Sequence, residues 1–352
     1  MATYDVAVVG TGDPDGDGFA MAYRHAEAYE ELDACTIVAC ADLVRSRAER
    51  FADTVGGDVA VYEDHERMVS ETDPDVVSVC VPPAAHAEVV RDLAASGVPD
   101  AVHCEKPMAA TWGGAREMAA ACERAGVELT FNHQRRFGEP FRRAKTLLDS
   151  GEIGALTRVE FAAPNLYDYG THSVDLSTYF ADEADPAWVL AGVDYREENR
   201  WFGAHNENQG LVHWAYEDGV TGLGVTGEPG QSTVGAHNRV VGTDGVVEVG
   251  VHDGPTLRVR RDGSWETLDT GEAGTSGPGY VRRAIADVVR ALETGKRSEL
   301  HADNALRATA LVFGAYESVR RRGRVGFPLD VEDNPLDAMV EAGDLSPAPS
   351  ED

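Results

Sequence analysis

Lysine is almost absent from this chain. Only Lys106, Lys145 and Lys296 occur, and Lys and Arg together number 31 against 61 Asp and Glu, a formal net charge of −30. A surface so poor in cations repels nucleic acid and anionic membranes, which excludes both as expected partners. Cysteine is scarce too. Cys35, Cys40, Cys80, Cys104 and Cys122 are odd in number and lack zinc or redox spacing, which excludes a disulfide framework and points to buried thiols. No apolar run is long enough to span a membrane, and Tyr4-Asp5-Val6-Ala7-Val8-Val9 opens directly as a strand, without a signal peptide. The expected location is the cytoplasm. No metal is expected, because His205, His213, His237 and His252 are scattered and no Cys/His group has ligand spacing.

What is present suits two domains. The 352 residues exceed one ordinary core, and a hydrophobic content of 43% is enough to bury two. In the first third, strand patterns over 6–9, 36–41, 59–62, 76–81, 101–104 and 128–131 alternate with helical patterns over 20–32, 45–54, 85–96 and 112–125. This alternation predicts an α/β domain over 1–133, a Rossmann-type doubly wound parallel sheet. Over 134–329, a helix at 140–149 leads into consecutive strand-like runs from 156 to 260, followed by helices at 280–293 and 304–322. Strands without intervening helices predict an α+β domain with a large, mainly antiparallel open sheet. Residues 330–352 are acidic and contain proline, and read as a loosely held tail. Acid-rich, lysine-poor surfaces are similar to those of proteins from halophilic archaea, where salt screens the self-repulsion.

Gly10-Thr11-Gly12 follows the first strand, where glycines let backbone approach a pyrophosphate at a helix N-terminus. The usual Gly-x-Gly-x-x-Gly spacing is interrupted by Asp13-Pro14-Asp15-Gly16-Asp17-Gly18, and alone the motif equally fits a surface turn. Asp42 strengthens the cofactor reading, since an acid at the end of the second strand accepts hydrogen bonds from an adenosine ribose and favours NAD over NADP. Arg45 and Arg47 are near enough to clamp a 2′-phosphate, and Asp42 alternatively caps the next helix. Pro82, Pro83 and His86 follow the fourth strand, on the carboxyl edge where ligands bind. His86 is a cofactor candidate, or a helix-start residue packed against the loop.

Glu105-Lys106-Pro107 closes a further parallel strand on that edge. In a chain that otherwise uses Arg, Lys106 suggests an ammonium needed for its tunable pKa, able to stabilise an alkoxide, with Glu105 holding it in place. In Asp168-Tyr169-Gly170-Thr171-His172-Ser173-Val174-Asp175, a helix beginning near Asp168 puts Asp168 and His172 one turn apart on one face. His172 is the candidate acid/base, and Asp168 its partner.

Together these pieces resemble the Gfo/Idh/MocA family of glucose–fructose oxidoreductase and inositol dehydrogenase-like enzymes. The resemblance runs from residue 4 to 328, through Gly10-Thr11-Gly12, Arg24-His25-Ala26-Glu27-Ala28-Tyr29, Ala41-Asp42, Val81-Pro82-Pro83 with His86, Glu105-Lys106-Pro107, Gly151-Glu152-Ile153-Gly154, Asp168-x-Gly170-x-His172-x-x-Asp175 and Val241-Gly242-Thr243-Asp244-Gly245. It implies NAD or NADP as cofactor, with Gly10, Thr11, Gly12, Asp42, Arg45, Pro82, His86 and Glu105 on its side. It implies sugar, sugar-acid or cyclitol substrates, with Lys106, His172 and Asp168 catalytic and Arg135, Asn165, Tyr167 and Trp201 lining the pocket. A homodimer or homotetramer built on the open sheet is also implied. Two departures matter: the insertion puts Ala22 at the third glycine, and Ala163-Pro164 replaces a glycine pair. A cofactor-binding sensor without turnover, or an epimerase or eliminase that recycles its cofactor, are the alternatives.

Overall fold

Val76 to Val79 is buried along its whole length, as expected of a parallel strand covered on both faces. It sits inside the first of three sheets in the computed structural model, which describes residues 3–16 and 20–347. The chain divides into two units, Met1–Gln134 with Pro278–Ala305, and Arg135–Gly277 with Leu306–Asp352.

In the first unit, β1 (Tyr4–Val9), β2 (Cys35–Ala41), β3 (Ala60–Tyr62), β4 (Val76–Val79), β5 (Ala101–Cys104) and β6 (Glu128–Phe131) form a parallel sheet in the order β3-β2-β1-β4-β5-β6. The order reverses at β1, so Val9 pairs with Ala41 on one side and Val79 on the other. That reversal opens a crevice at the carboxyl ends of β1 and β4. The crossovers are α1 (Met21–Glu30), α2 (Arg45–Val55), α3 (His65–Thr72), α4 (Pro83–Ser96) and α5 (Trp112–Ala125). Strand β4 stops two residues short of the expected Val81, because Pro82 caps α4 and Pro83 occupies its first turn, where a missing N–H costs nothing. Helix α3 was not expected. Only Met68 and Val69 are buried in it, too few to make a period, and Asp64 starts it by accepting from Arg67 N at 2.8 Å.

The second unit runs through α6 (Glu139–Asp149), β7 (Leu156–Ala163), α7 (Gly170–Phe180), β8 (Pro186–Asp194), β9 (Arg200–Trp201), β10 (Ala204–His205), β11 (Gln209–Tyr216), β12 (Thr221–Thr226), α8 (Glu228–Thr233), β13 (Ala236–Gly242), β14 (Gly245–Val251), β15 (Leu257–Arg261) and β16 (Ser264–Thr267). After α9 (Pro278–Thr294) come α10 (Ala302–Arg321), β17 (Val325–Gly326) and α11 (Pro335–Glu341). Among the described residues the sheet has nine strands, ordered β16-β15-β14-β13-β7-β12-β11-β8-β17. Only the β7–β12 pair is parallel. Helices α6 and α7 pack on this sheet.

Two expectations change. The continuous second domain over 134–329 does not form, because α9 buries Ala284, Ile285 and Val288 and packs on α1 and β5 of the first unit. Nor is 330–347 a loose tail: Asn334 caps α11, and Leu336 and Met339 are buried. Residues 348–352 of the expected tail lie outside the described residues.

Candidate active site

In the first unit, Gly10 ends β1 with φ +84°, and a Cβ there would lie 2.7 Å from Val81 N. Glycine is therefore required for the loop to rest against the exit of β4. Gly12 follows with φ +65°. Asp42, just past β2, ties this loop down: its Oδ2 accepts from Gly12 N at 3.0 Å and Thr11 Oγ1 at 3.2 Å, and its Oδ1 from Val44 N at 2.9 Å. Val44, not Asp42, is the N-cap of α2. Of the inserted aspartates, Asp13 and Asp15 pair with Arg50 of α2; Asp17 and Gly18 lie outside the described residues. Arg45 pairs with Glu49 at 2.9 Å and lies 3.9 Å from Glu63. A backbone cradle that a Cβ would fill, at a strand-order reversal and beside a carboxylate, fits a dinucleotide.

His86 is fully buried, with Nε2 2.8 Å from Val81 O and Nδ1 3.0 Å from Pro107 O. Burial pulls its pKa down, against the bonds to these carbonyls. The ring joins the loop after β4 to the turn after β5. Pro82 shapes the same loop as N-cap of α4.

Glu105 ends β5 and is also buried. Its Oε1 accepts from His25 Nε2 at 3.0 Å and Asn132 Nδ2 at 2.6 Å, and its Oε2 from Lys106 N at 3.1 Å. Burial opposes its charge, but His25, Asn132 and the Lys106 ammonium overcome that and hold the carboxyl at about 2. Glu105 is an anion that fixes its own turn, with both oxygens engaged by protein groups. Lys106 is half-buried in that turn.

In the second unit, α7 begins at Gly170, two residues later than expected, and Asp168 lies in the turn before it. His172 stands in the first helical turn and is 4% exposed. A Cβ on Gly170 would come within 2.4 Å of Asn165 O, so only glycine starts the helix this close to the preceding loop. Asn165 Oδ1 accepts from Asp168 N at 3.1 Å and Tyr169 N at 2.8 Å. Its oxygen thereby shapes the loop. Tyr167 is likewise buried, its ring against Phe313 at 6.1 Å, with burial and then Asp337 and Asp168 raising its pKa. Trp201 sits on the β9–β10 hairpin at 44% exposure.

Arg135 and Arg136 are both buried. Arg135 lies over the Tyr169 ring at 4.6 Å and meets His237, whose pKa burial and the Arg135 charge depress to about 3. Arg136 grips Asp175 of α7 with Nε and Nη2, both at 2.7 Å, and reaches Glu183 at 2.5 Å.

Sequence reasoning missed the supports behind these groups. Asn206 Oδ1 accepts from Asp168 N at 3.1 Å, and buried Glu207 accepts from Leu166 N at 2.7 Å, Thr226 Oγ1 at 2.6 Å and Tyr316 OH at 2.6 Å. Burial raises the Glu207 pKa against these bonds. A Glu between two Asn in a polar stretch carries no pattern that would have marked it.

Residues 4–133 match the Gfo/Idh/MocA profile, described as an oxidoreductase family with an NAD-binding Rossmann fold. The first unit is thus similar to the NAD-binding domain of that family. Curated relatives include the D-apiose dehydrogenase of Paraburkholderia graminis, 34% identical over 139 residues, which are 40% of this chain and 36% of that protein. The inositol 2-dehydrogenase of Salmonella typhimurium is 28% identical over 160 residues, 42% of this chain and 47% of that one. The chain thus spans half or less of the length of these relatives. Among solved structures, an Agrobacterium radiobacter oxidoreductase in complex with NAD+, L-tartaric acid and magnesium superposes with TM-score 0.77 at 20% identity, covering 96% of this chain and 100% of that one. The WlbA dehydrogenase of Bordetella pertussis in complex with NADH and UDP-GlcNAcA gives TM-score 0.73 at 20% identity, covering 93% and 100%. At such identities the fold is what is shared. No described helix is long and apolar enough to cross a membrane.

Proposed function

We propose that the chain is an NAD(P)-dependent oxidoreductase acting on a hydroxyl or carbonyl of a sugar, sugar acid or cyclitol. The observation that carries this is Lys106, set on a buried Glu105 anion at the carboxyl end of β5, in a unit that matches an NAD-binding oxidoreductase family. The nicotinamide, when bound, supplies the hydride acceptor or donor. Lys106 donates a hydrogen bond to the reacting oxygen and stabilises its developing charge. His172 takes or returns the proton, since an imidazole exchanges protons near neutrality, and Asp168 positions it or the substrate. Gly10, Thr11 and Gly12 carry the phosphates, and Asp42 accepts from the ribose. NAD is favoured over NADP: Asp42 would repel a 2′-phosphate, and Arg45 and Arg50 are already matched by acids.

The names of the D-apiose and inositol dehydrogenases support the substrate class. A homodimer or homotetramer using the nine-stranded sheet is supported by a surface with Trp265 42%, Leu190 45% and Leu211 54% exposed. A cytoplasmic, high-salt setting is supported by the net charge of −30. The test is absorbance at the reduced-nicotinamide band, with NAD and NADP separately, against aldoses, uronates and cyclitols in concentrated KCl. A rate with one class is expected. Silence from folded, cofactor-binding protein would overturn the dehydrogenase reading in favour of a sensor or a recycled cofactor.

A further inference from the structure

Behind Lys106, on the side of Glu105 away from its own turn, the first unit buries a row of polar side chains that no proton-transfer role uses. Ser78 stands alone among valines in β4, and Tyr29 and His25 project from α1; all three are 0% exposed. Polar groups this deep are costly unless each donor meets an acceptor. Here each of them finds a partner. Glu105 Oε1 is an acceptor, so His25 Nε2, 3.0 Å away, carries a proton. Nδ1 of the same ring lies 3.1 Å from Ser78 Oγ, which in turn lies 3.0 Å from Tyr29 OH. Hydrogen bonds thus link Tyr29, Ser78, His25 and Glu105 in a row, and Glu105 receives the Lys106 N–H as well. Asn132 Nδ2 lies 3.2 Å from His25 Nε2, but both are donors converging on Glu105 Oε1, so that separation is not a bond.

We infer that His25 is a positioning residue for Lys106, acting through Glu105: Ser78, backed by Tyr29, holds the ring in place, and the ring orients the carboxylate that holds the Lys106 turn. Glu105 must receive a proton at Oε1 to keep Oε2 turned to Lys106 N. An aromatic ring without Nε2–H fills the same space but leaves that oxygen short of one donor. The inference rests on the proposed role of Lys106, but the geometry of the turn is testable without turnover.

The scarcity of lysine supplies the assay. Reductive 13C-methylation keeps each ammonium charged and labels Lys106, Lys145 and Lys296, together with the N-terminal amine, whose α-dimethyl signal is set aside by its lower pKa. Lys106→Arg assigns the first signal. Lys145, paired with Asp149 and Asp182 in the second unit, and exposed Lys296 report whether the protein remains folded. In His25→Phe the Lys106 methyl signal is expected to shift while the other two stay in place. His25→Gln, whose amide N–H reaches for Glu105, is expected to restore it. An unmoved Lys106 signal in folded His25→Phe overturns the inference. If His25→Phe unfolds and moves all three signals, Ser78→Ala decides: a displaced Lys106 signal supports the inference and an unmoved one overturns it. With a substrate from the panel in hand, His25→Phe is expected to lower kcat by about 10²-fold with NAD affinity unchanged, and His25→Gln to recover most of that. A displaced NMR signal with unchanged kcat would leave the positioning intact and contradict the catalytic reading of Lys106 instead.

Discussion

Arg136→Met tests how α7, the helix bearing His172, is held. Methionine keeps most of the unbranched stem and removes the guanidinium. Arg136 and Asp175 are each 1% exposed, and two parallel bonds of 2.7 Å join them, so the substitution strips both from a buried carboxylate. Glu183, 28% exposed, loses its bond as well but relaxes towards water. Removing one partner of a buried pair costs about 3–5 kcal/mol, because the remaining charge is uncompensated. For a unit of roughly 200 residues, each kcal/mol moves Tm by about 2–4 °C, so a fall of about 6–20 °C is expected by calorimetry. Arg136→Met with Asp175→Leu removes both charges and should recover most of the loss. The exposed pair Arg67–Glu71, 69% and 47% exposed, is the control, and Arg67→Met should hardly move the transition. A loss below about 1 kcal/mol in Arg136→Met, or a double variant no more stable than the single, would refute the reasoning.

Gly10→Ala forces a Cβ to 2.7 Å from Val81 N at φ +84°; NADH fluorescence titration should show binding lost with the fold retained, and wild-type affinity would contradict the cradle. Acid should unfold the protein in stages. His103 and His237, lowered from 6.5 to about 3, bind fewer protons folded than unfolded, so their stability is lost as pH falls below 6.5; Glu105, lowered from 4.5 to about 2, adds its loss below 4.5. Glu207 has the opposite sign: raised above 4.5, it holds a proton in the folded chain that the unfolded chain releases, so stability falls as pH rises through that window. Urea unfolding against pH should show this slope removed in Glu207→Gln, and an unchanged slope would reject the assignment. The net charge of −30 predicts a urea midpoint that rises from low salt to molar KCl, where screening acts over a few Å; a flat midpoint would contradict a salt-adapted surface.

How far the sequence reached depends on what each residue answers to. The parallel sheet was legible because β4 and β5 are buried on both faces and read as apolar runs. The nine-stranded sheet was legible as strands without helices, but its order was not, since the parallel β7–β12 pair joins segments 65 residues apart at their starts, Leu156 and Thr221. The return of α9 to the first unit was invisible for the same reason: an apolar stripe does not say which core it seeks. Glu105 and Lys106 stood out locally. Their supports did not, because His25, Ser78 and Asn132 reach Glu105 across 80, 27 and 27 positions or through another side chain. Nothing local in the sequence marks Arg135 and Arg136 as buried, one on Tyr169 and the other on Asp175.

The most direct test of the central claim is the turnover of Lys106→Met beside wild type, with the substrate class and cofactor that the panel selects. NAD affinity should be unchanged and kcat should fall by about 10²–10⁴-fold, the range for a proton-transfer group. Turnover equal to wild type would contradict the account.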